Sequence, residues 1–228
     1  MPERTARHLI HRLKALGNEE NVAGMARFGI NSDNTLGVPI PSLRGIAKEI
    51  GPNHPLALEL WRSGIHEARL LAGFIDDPSL VTDTQMESWV KDFDSWDVCD
   101  QVCSNLFDKT EFAIAKTGKW TKSKKEFTKR AGFVLMASLA VHDKAAEDEL
   151  FMSFLSIVKR ECEDERNFVR KAVNWALRQI GKRNRNLNRA PINTAKEILK
   201  VDSKAARWIA SDAIRELTGA SVARKLKR

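Results

Sequence analysis

Several features are missing from this chain of 228 residues, and each absence removes a class of protein. No run approaches the about 18 consecutive apolar residues that a membrane-crossing helix needs. The N-terminal MPERTARHLIHRLKALG has neither the apolar core nor the cleavage site of a secretory signal. The expected setting is therefore the cytoplasm, with no membrane partner. Cysteine is scarce: Cys99, Cys103 and Cys162 make an odd number without CxxC spacing, which excludes a disulfide framework and a zinc site. Cys99 and Cys103, four apart, read as small hydrophobes on one helix. The five histidines are scattered, and His8 and His11 share a helix face with no carboxylate at ligand spacing, so neither a metal nor a cofactor is expected. Sustained alternation and Asn-Gly turns are also lacking, which argues against hairpins.

One absence is local. From Arg166 to Lys196, 31 residues carry nine Lys or Arg and no acid, where the chain's own acid frequency would put about four. The whole chain carries a net charge of +8 and has a pI near 9.5, which favours an anionic partner. Acids inside a phosphate-binding footprint would oppose the counterion release that drives such binding. At about 100° per residue, Val169, Val173, Ala176, Leu177 and Ile180 form an apolar stripe, with Lys171, Arg178 and Lys182 opposite and Trp175 beside them. An indole among cations suits a polyanion with flat parts, meaning nucleic acid. An indole buried in a second contact is the structural alternative.

At 43% hydrophobic the chain can bury a core, and one folded unit over 1–228 is expected, monomeric by default. Helical periodicity predicts an all-α protein, with helices over 3–16, 42–50, 54–63, 66–76, 83–92, 95–107, 110–118, 123–141, 146–160, 164–182 and 204–217. Turn-rich breaks fall at 31–41, 51–55, 76–79 and 183–191. Asp94 or Ser95 is placed to cap the helix carrying Trp96. HEARLLAGFI, WDVCDQVCSNL, KRAGFVLMASL, RKAVNWALRQI and KAARWIASDAI resemble one another. Taking Ala68, Val98, Ala131, Ala172 and Ala206 as equivalent gives intervals of 30, 33, 41 and 34 residues. That period fits helix pairs stacked as an α-solenoid of the HEAT type, in which equivalent helices line one concave surface.

The polar and aromatic residues of those helices form a candidate site. Trp96 and Asp100 share a face away from Val98, Val102, Leu106 and the two cysteines. Arg130 heads an almost wholly apolar helix, so its side chain either snorkels or is aimed at a cleft. Trp175 stands with Lys171 and Arg178. One carboxylate, two indoles and an arginine suit hydrolysis of a glycosidic bond whose leaving group is already cationic, as in an alkylated purine. The carboxylate would stabilise an oxocarbenium-like sugar, and the arginine would hold phosphate. Each residue also has a structural reading: Trp96 as core, Asp100 paired with a lysine, Arg130 bound to a carbonyl.

MARF at 25–28, LGVPIPSLR at 36–44, the LW and HE pairs of LALELWRSGIHEARLLA, SWDVCD, TKRAGFVL and NFVRKAVNWALR together resemble the DNA alkylation repair glycosylases related to AlkD, built from HEAT-like repeats. The resemblance spans most of the chain. It implies that Asp100 is the catalytic aspartate, Trp96 and Trp175 the active-site tryptophans, and Arg130 a phosphate contact. From their charge and position, Arg44, Arg170, Lys171, Arg178 and Lys182 are expected to complete the DNA-binding set. The implied partner is duplex DNA containing N3- or N7-alkylated purines, excised without base flipping, bulky adducts included. Pro39 and Ile40 depart from the polar residues the family can present between Gly37 and Arg44. The basic C-terminal tail either adds backbone contacts or is frayed. The rival readings are a noncatalytic protein that recognises distorted or branched DNA and a protein-binding scaffold.

Overall fold

Side-chain caps start most of the first helices. Thr5, Asn18, Asn53 and Thr82 accept from the backbone N–H three residues on, at the heads of α1 (Ala6–Ala15), α2 (Glu19–Arg27), α4 (His54–Arg62) and α6 (Asp83–Trp89). Between them stand α3 (Ile40–Ile50), entered through Pro39 and stopped at Gly51, and α5 (His66–Ile75). Gly51 has φ 75°, a conformation that glycine adopts without penalty. The series continues with α7 (Trp96–Asn105), α8 (Ala113–Trp120), α9 (Glu126–His142), α10 (Asp148–Arg160), α11 (Asn167–Arg183), α12 (Arg185–Ile198), α13 (Lys204–Leu217) and α14 (Ala220–Lys225). This computed structural model describes residues 5–226, and among them there is no strand. The chain divides into two compact units, residues 1–111 and 112–228.

In the first unit α3 packs on α5 and α5 on α7, while α4 backs α5 and α1 lies against α4 and α5. The core centres on Trp61 and Trp89, whose rings stack at 3.9 Å, with Phe93 and Phe107 tilted around them. The Trp61 indole N–H donates to Asp92 at 2.9 Å, so burial strands no polar group there. In the second unit α9 packs on α11 and α11 on α13, backed by α8, α12 and α10. Ala131 to Ala140 of α9 are buried without interruption. Each large apolar side chain in that run stabilises the fold by about 1.5–3 kcal/mol. The packing is close enough to need Gly132, where an added Cβ would stand 2.8 Å from the Thr121 backbone nitrogen.

The repeat spacing therefore picks out α5, α7, α9, α11 and α13, the helices that stack within each unit. Three helices escape the periodicity argument. No residue of α2 is buried, so it carries no stripe. α12 crosses the expected break at 183–191 with Pro191 inside it, and its buried residues Leu187, Pro191, Ala195 and Ile198 make the stripe. The proline ring removes the amide that would meet the Leu187 carbonyl, yet the ring itself is buried and packs as an apolar residue. α14 shows that the tail through Lys225 is helical, docked by Val222, rather than frayed. The expected start at residue 3 and the last two tail residues, 227 and 228, lie outside the described residues.

Candidate active site

The exposed and buried sides of α7 separate cleanly. Val98, Cys99, Val102 and Cys103 are buried, whereas Trp96, Asp100, Gln101, Ser104 and Asn105 are half-buried on the other side. Trp96 and Asp100 thus keep one face, one turn apart, as the wheel predicts. The Trp96 indole N–H donates to the Phe28 carbonyl at 3.1 Å, at the end of α2. Beside the indole lies a cavity of about 810 Å³ whose lining includes Met25, Phe28, Ile30, Val38 and Ile40. Pro39 and Ile40 both line this cavity, and Pro39, exposed, also opens α3, so the two departures from the family pattern have structural places.

Two adjacent buried residues hold this region. His66 Nε2 lies 2.8 Å from Asp97, next to Trp96, and Ser95 Oγ donates to the same carboxylate at 2.7 Å. Burial works against the charged forms, but the shared bond and mutual attraction outweigh it. The His66 imidazole is accordingly held above its ordinary range and the Asp97 carboxyl below its own. Neither expected cap acts through its side chain: Ser95 serves Asp97, while Asp94 pairs with Asn31 at 3.1 Å and Arg69 at 3.6 Å. Glu67, fully buried, accepts from the Leu36, Gly37 and Val38 amides at 2.8, 2.7 and 3.3 Å. The HE pair therefore pins the first turn of α7 with one residue and the segment leading into α3 with the other. Both were legible in the sequence only as a motif.

In the second unit Arg130 is buried, 6% exposed, and its Nη1 donates to the Phe168 carbonyl at 2.6 Å. Lys129, its neighbour, binds Glu161 at 2.6 Å and Asp164 at 2.7 Å. Together they tie the head of α9 to the start of α11. On α11 the stripe of Val169, Val173, Ala176, Leu177 and Ile180 is fully buried, and Trp175 is half-buried. The cations opposite divide into two groups. Lys171 is exposed and forms no ion pair among the described residues. Arg178 and Lys182 both bind Glu216 of α13, and Arg178 also lies 3.6 Å from Asp212. The acid-free stretch is thus supplied with acid from 34 and 38 residues away in the chain. Arg170 stacks over Trp208 of α13 at 5.3 Å, and Trp208 is 39% exposed, a surface indole the sequence reading did not single out.

Helix pairs stacked in this way within each unit define a HEAT-like helical protein. One solved structure, from a new family of proteins related to the HEAT-like repeat DNA glycosylases with affinity for branched DNA structures, superposes with a TM-score of 0.77. It is 24% identical over 94% of this chain and 96% of that one. The model of the DNA alkylation repair enzyme family matches residues 9–217, and the chain belongs to that family. A similar protein, the uncharacterized Lin0241 of Listeria innocua, is 25% identical over 193 residues, 83% of this chain and 84% of its own length. No helix among the described residues is long and apolar enough to cross a membrane.

Proposed function

We propose that this protein is a DNA glycosylase that hydrolyses the N-glycosidic bond of N3- and N7-alkylated purines in duplex DNA, without flipping the base. The observation that carries the proposal is Asp100: a carboxylate half-buried on the open face of α7, one turn from the Trp96 indole, in a member of the alkylation repair family. Alkylation leaves the purine cationic. When the C1′–N bond breaks, its electron pair neutralises the departing base and positive charge remains on the sugar. The Asp100 carboxylate stabilises that charge and orients a water whose oxygen bonds to C1′, the released proton passing to the carboxylate or solvent. The indole face of Trp96 attracts the same developing charge. Arg44, Arg130, Arg170 and Lys171 are assigned to backbone phosphates. Arg178 and Lys182 add to the field behind them, partly neutralised by Glu216. No cofactor takes part.

A second reading has its own support. The structural relative is described as having affinity for branched DNA, and the Trp208 indole with Arg170 across it offers a platform on which an unpaired base can stack. In that reading the protein binds junctions and releases nothing. The two readings separate on one pair of substrates: a duplex with a single N7-methylguanine and an undamaged four-way junction. The glycosylase reading expects free base from the duplex. Preferential junction binding with no base released would replace it.

A further inference from the structure

The open face of α7 continues past Asp100 into a small basic hollow. Gln101 and Asn105 accept from one nitrogen of Arg44, on α3, at 3.2 and 3.3 Å. The same guanidinium lies over the Phe74 ring of α5, 4.6 Å from its centroid. Lys109, in the turn after α7, donates to the Asn105 carbonyl at 2.7 Å. Side chains from three helices and a turn thus fix two cations around a space of about 260 Å³, lined by Arg44, Ala47, Phe74, Asn105 and Lys109.

What distinguishes this hollow is its charge. Arg44 and Lys109 are exposed, and neither forms an ion pair among the described residues. Arg69 of the same unit is the useful contrast, because it also lies over an aromatic ring, that of Trp61, and there Asp94 stands 3.6 Å away. Two unpaired cations held by neutral amides and a ring present their donors with little left to order, the condition in which an anion gains most.

We infer that this hollow holds one backbone phosphate of the bound strand, shared between Arg44 and Lys109. The inference rests on the reading that DNA lies along the Asp100 face. Asn105 stands five residues beyond Asp100 on the same helix, about 7.5 Å along its axis. A phosphate held in the hollow is therefore close to the sugar that meets the carboxylate.

The test uses the full chain and an undamaged fluorescent duplex. Affinity is measured by anisotropy from about 50 to 200 mM salt for wild type, Arg44→Ala, Lys109→Ala and the double variant. One shared phosphate predicts that the double variant lowers the slope of log K against log salt by about 1, with the single losses not adding. An unchanged slope in the double variant, with unchanged melting temperature, overturns the inference. An additive loss of about 2 overturns the shared site, because each cation then neutralises its own phosphate. The duplex carries no lesion, so the slope is independent of excision. Wild-type base release with an unchanged slope overturns only the clamp, and a lost slope without release overturns only the glycosylase reading.

Discussion

Replacing Glu67 with glutamine changes one oxygen for an amide nitrogen in a fully buried site, and the structure sets the size of the effect. The Gly37 and Val38 amides share one carboxylate oxygen and the Leu36 amide has the other. Glutamine keeps its carbonyl toward the shared pair and must turn its NH₂ toward the Leu36 N–H. One hydrogen bond to a charged acceptor is lost, worth about 1.5–3 kcal/mol, and a donor is left facing a donor, which costs about 1–3 kcal/mol more. A destabilisation of about 2.5–6 kcal/mol shifts the melting temperature of a chain this size by about 5–24 °C. Thermal unfolding followed by circular dichroism measures it. A Glu67→Gln protein melting within about 2 °C of wild type would refute the claim that this carboxylate holds the segment from Leu36 to Val38.

Other consequences follow from the same structure. His66 binds its proton more tightly when folded, so its contribution is complete below its ordinary value of 6.5 and is lost as pH rises through the raised one. Asp97 is shifted the other way, its contribution complete above its ordinary 3.8 and lost as pH falls through its lowered value. The melting temperature of wild type should accordingly exceed that of His66→Gln most between about pH 4 and 6.5 and converge toward it as pH rises through the raised His66 value, whereas a gap constant across pH would contradict the pairing. Gly132→Ala should cost about 1–3 kcal/mol, because the added methyl meets the Thr121 backbone. Gly118→Ala, in α8 with nothing within 4 Å, should gain about 0.5–1 kcal/mol, and equal effects in urea titrations would refute the packing argument. Lys171→Ala should lower the salt slope of duplex binding by about 1, and Lys182→Ala, already engaged by Glu216, should lower it less while costing about 1 kcal/mol of stability.

What the sequence disclosed follows the range of the interactions. The buried stripe of α11 and the split faces of α7 are set by residues three and four apart, so periodicity reveals them. The spacing of α5, α7, α9, α11 and α13 is equally local to each repeat. Glu216, which neutralises Arg178 and Lys182, stands on the next stacked helix, and no window along α11 contains it. The work of His66 and Glu67 is hidden for the same reason, since their partners lie about 30 residues off in opposite directions. Pro191 misleads in another way: it is a helix breaker by rule and a buried apolar residue in place. Arg130 illustrates a reading left open by the residues, as its position at the head of a buried helix suits both a phosphate and the Phe168 carbonyl it meets.

Single-turnover release of N7-methylguanine from duplex DNA by wild type and by Asp100→Asn decides the role of this carboxylate. Removing the charge while keeping the shape should slow release by about 10²–10³-fold, as expected for loss of one preorganised electrostatic contact, with duplex affinity and melting temperature close to wild type. Equal rates for the two proteins would contradict the role given to Asp100 and, with it, the reading of this face as an active site.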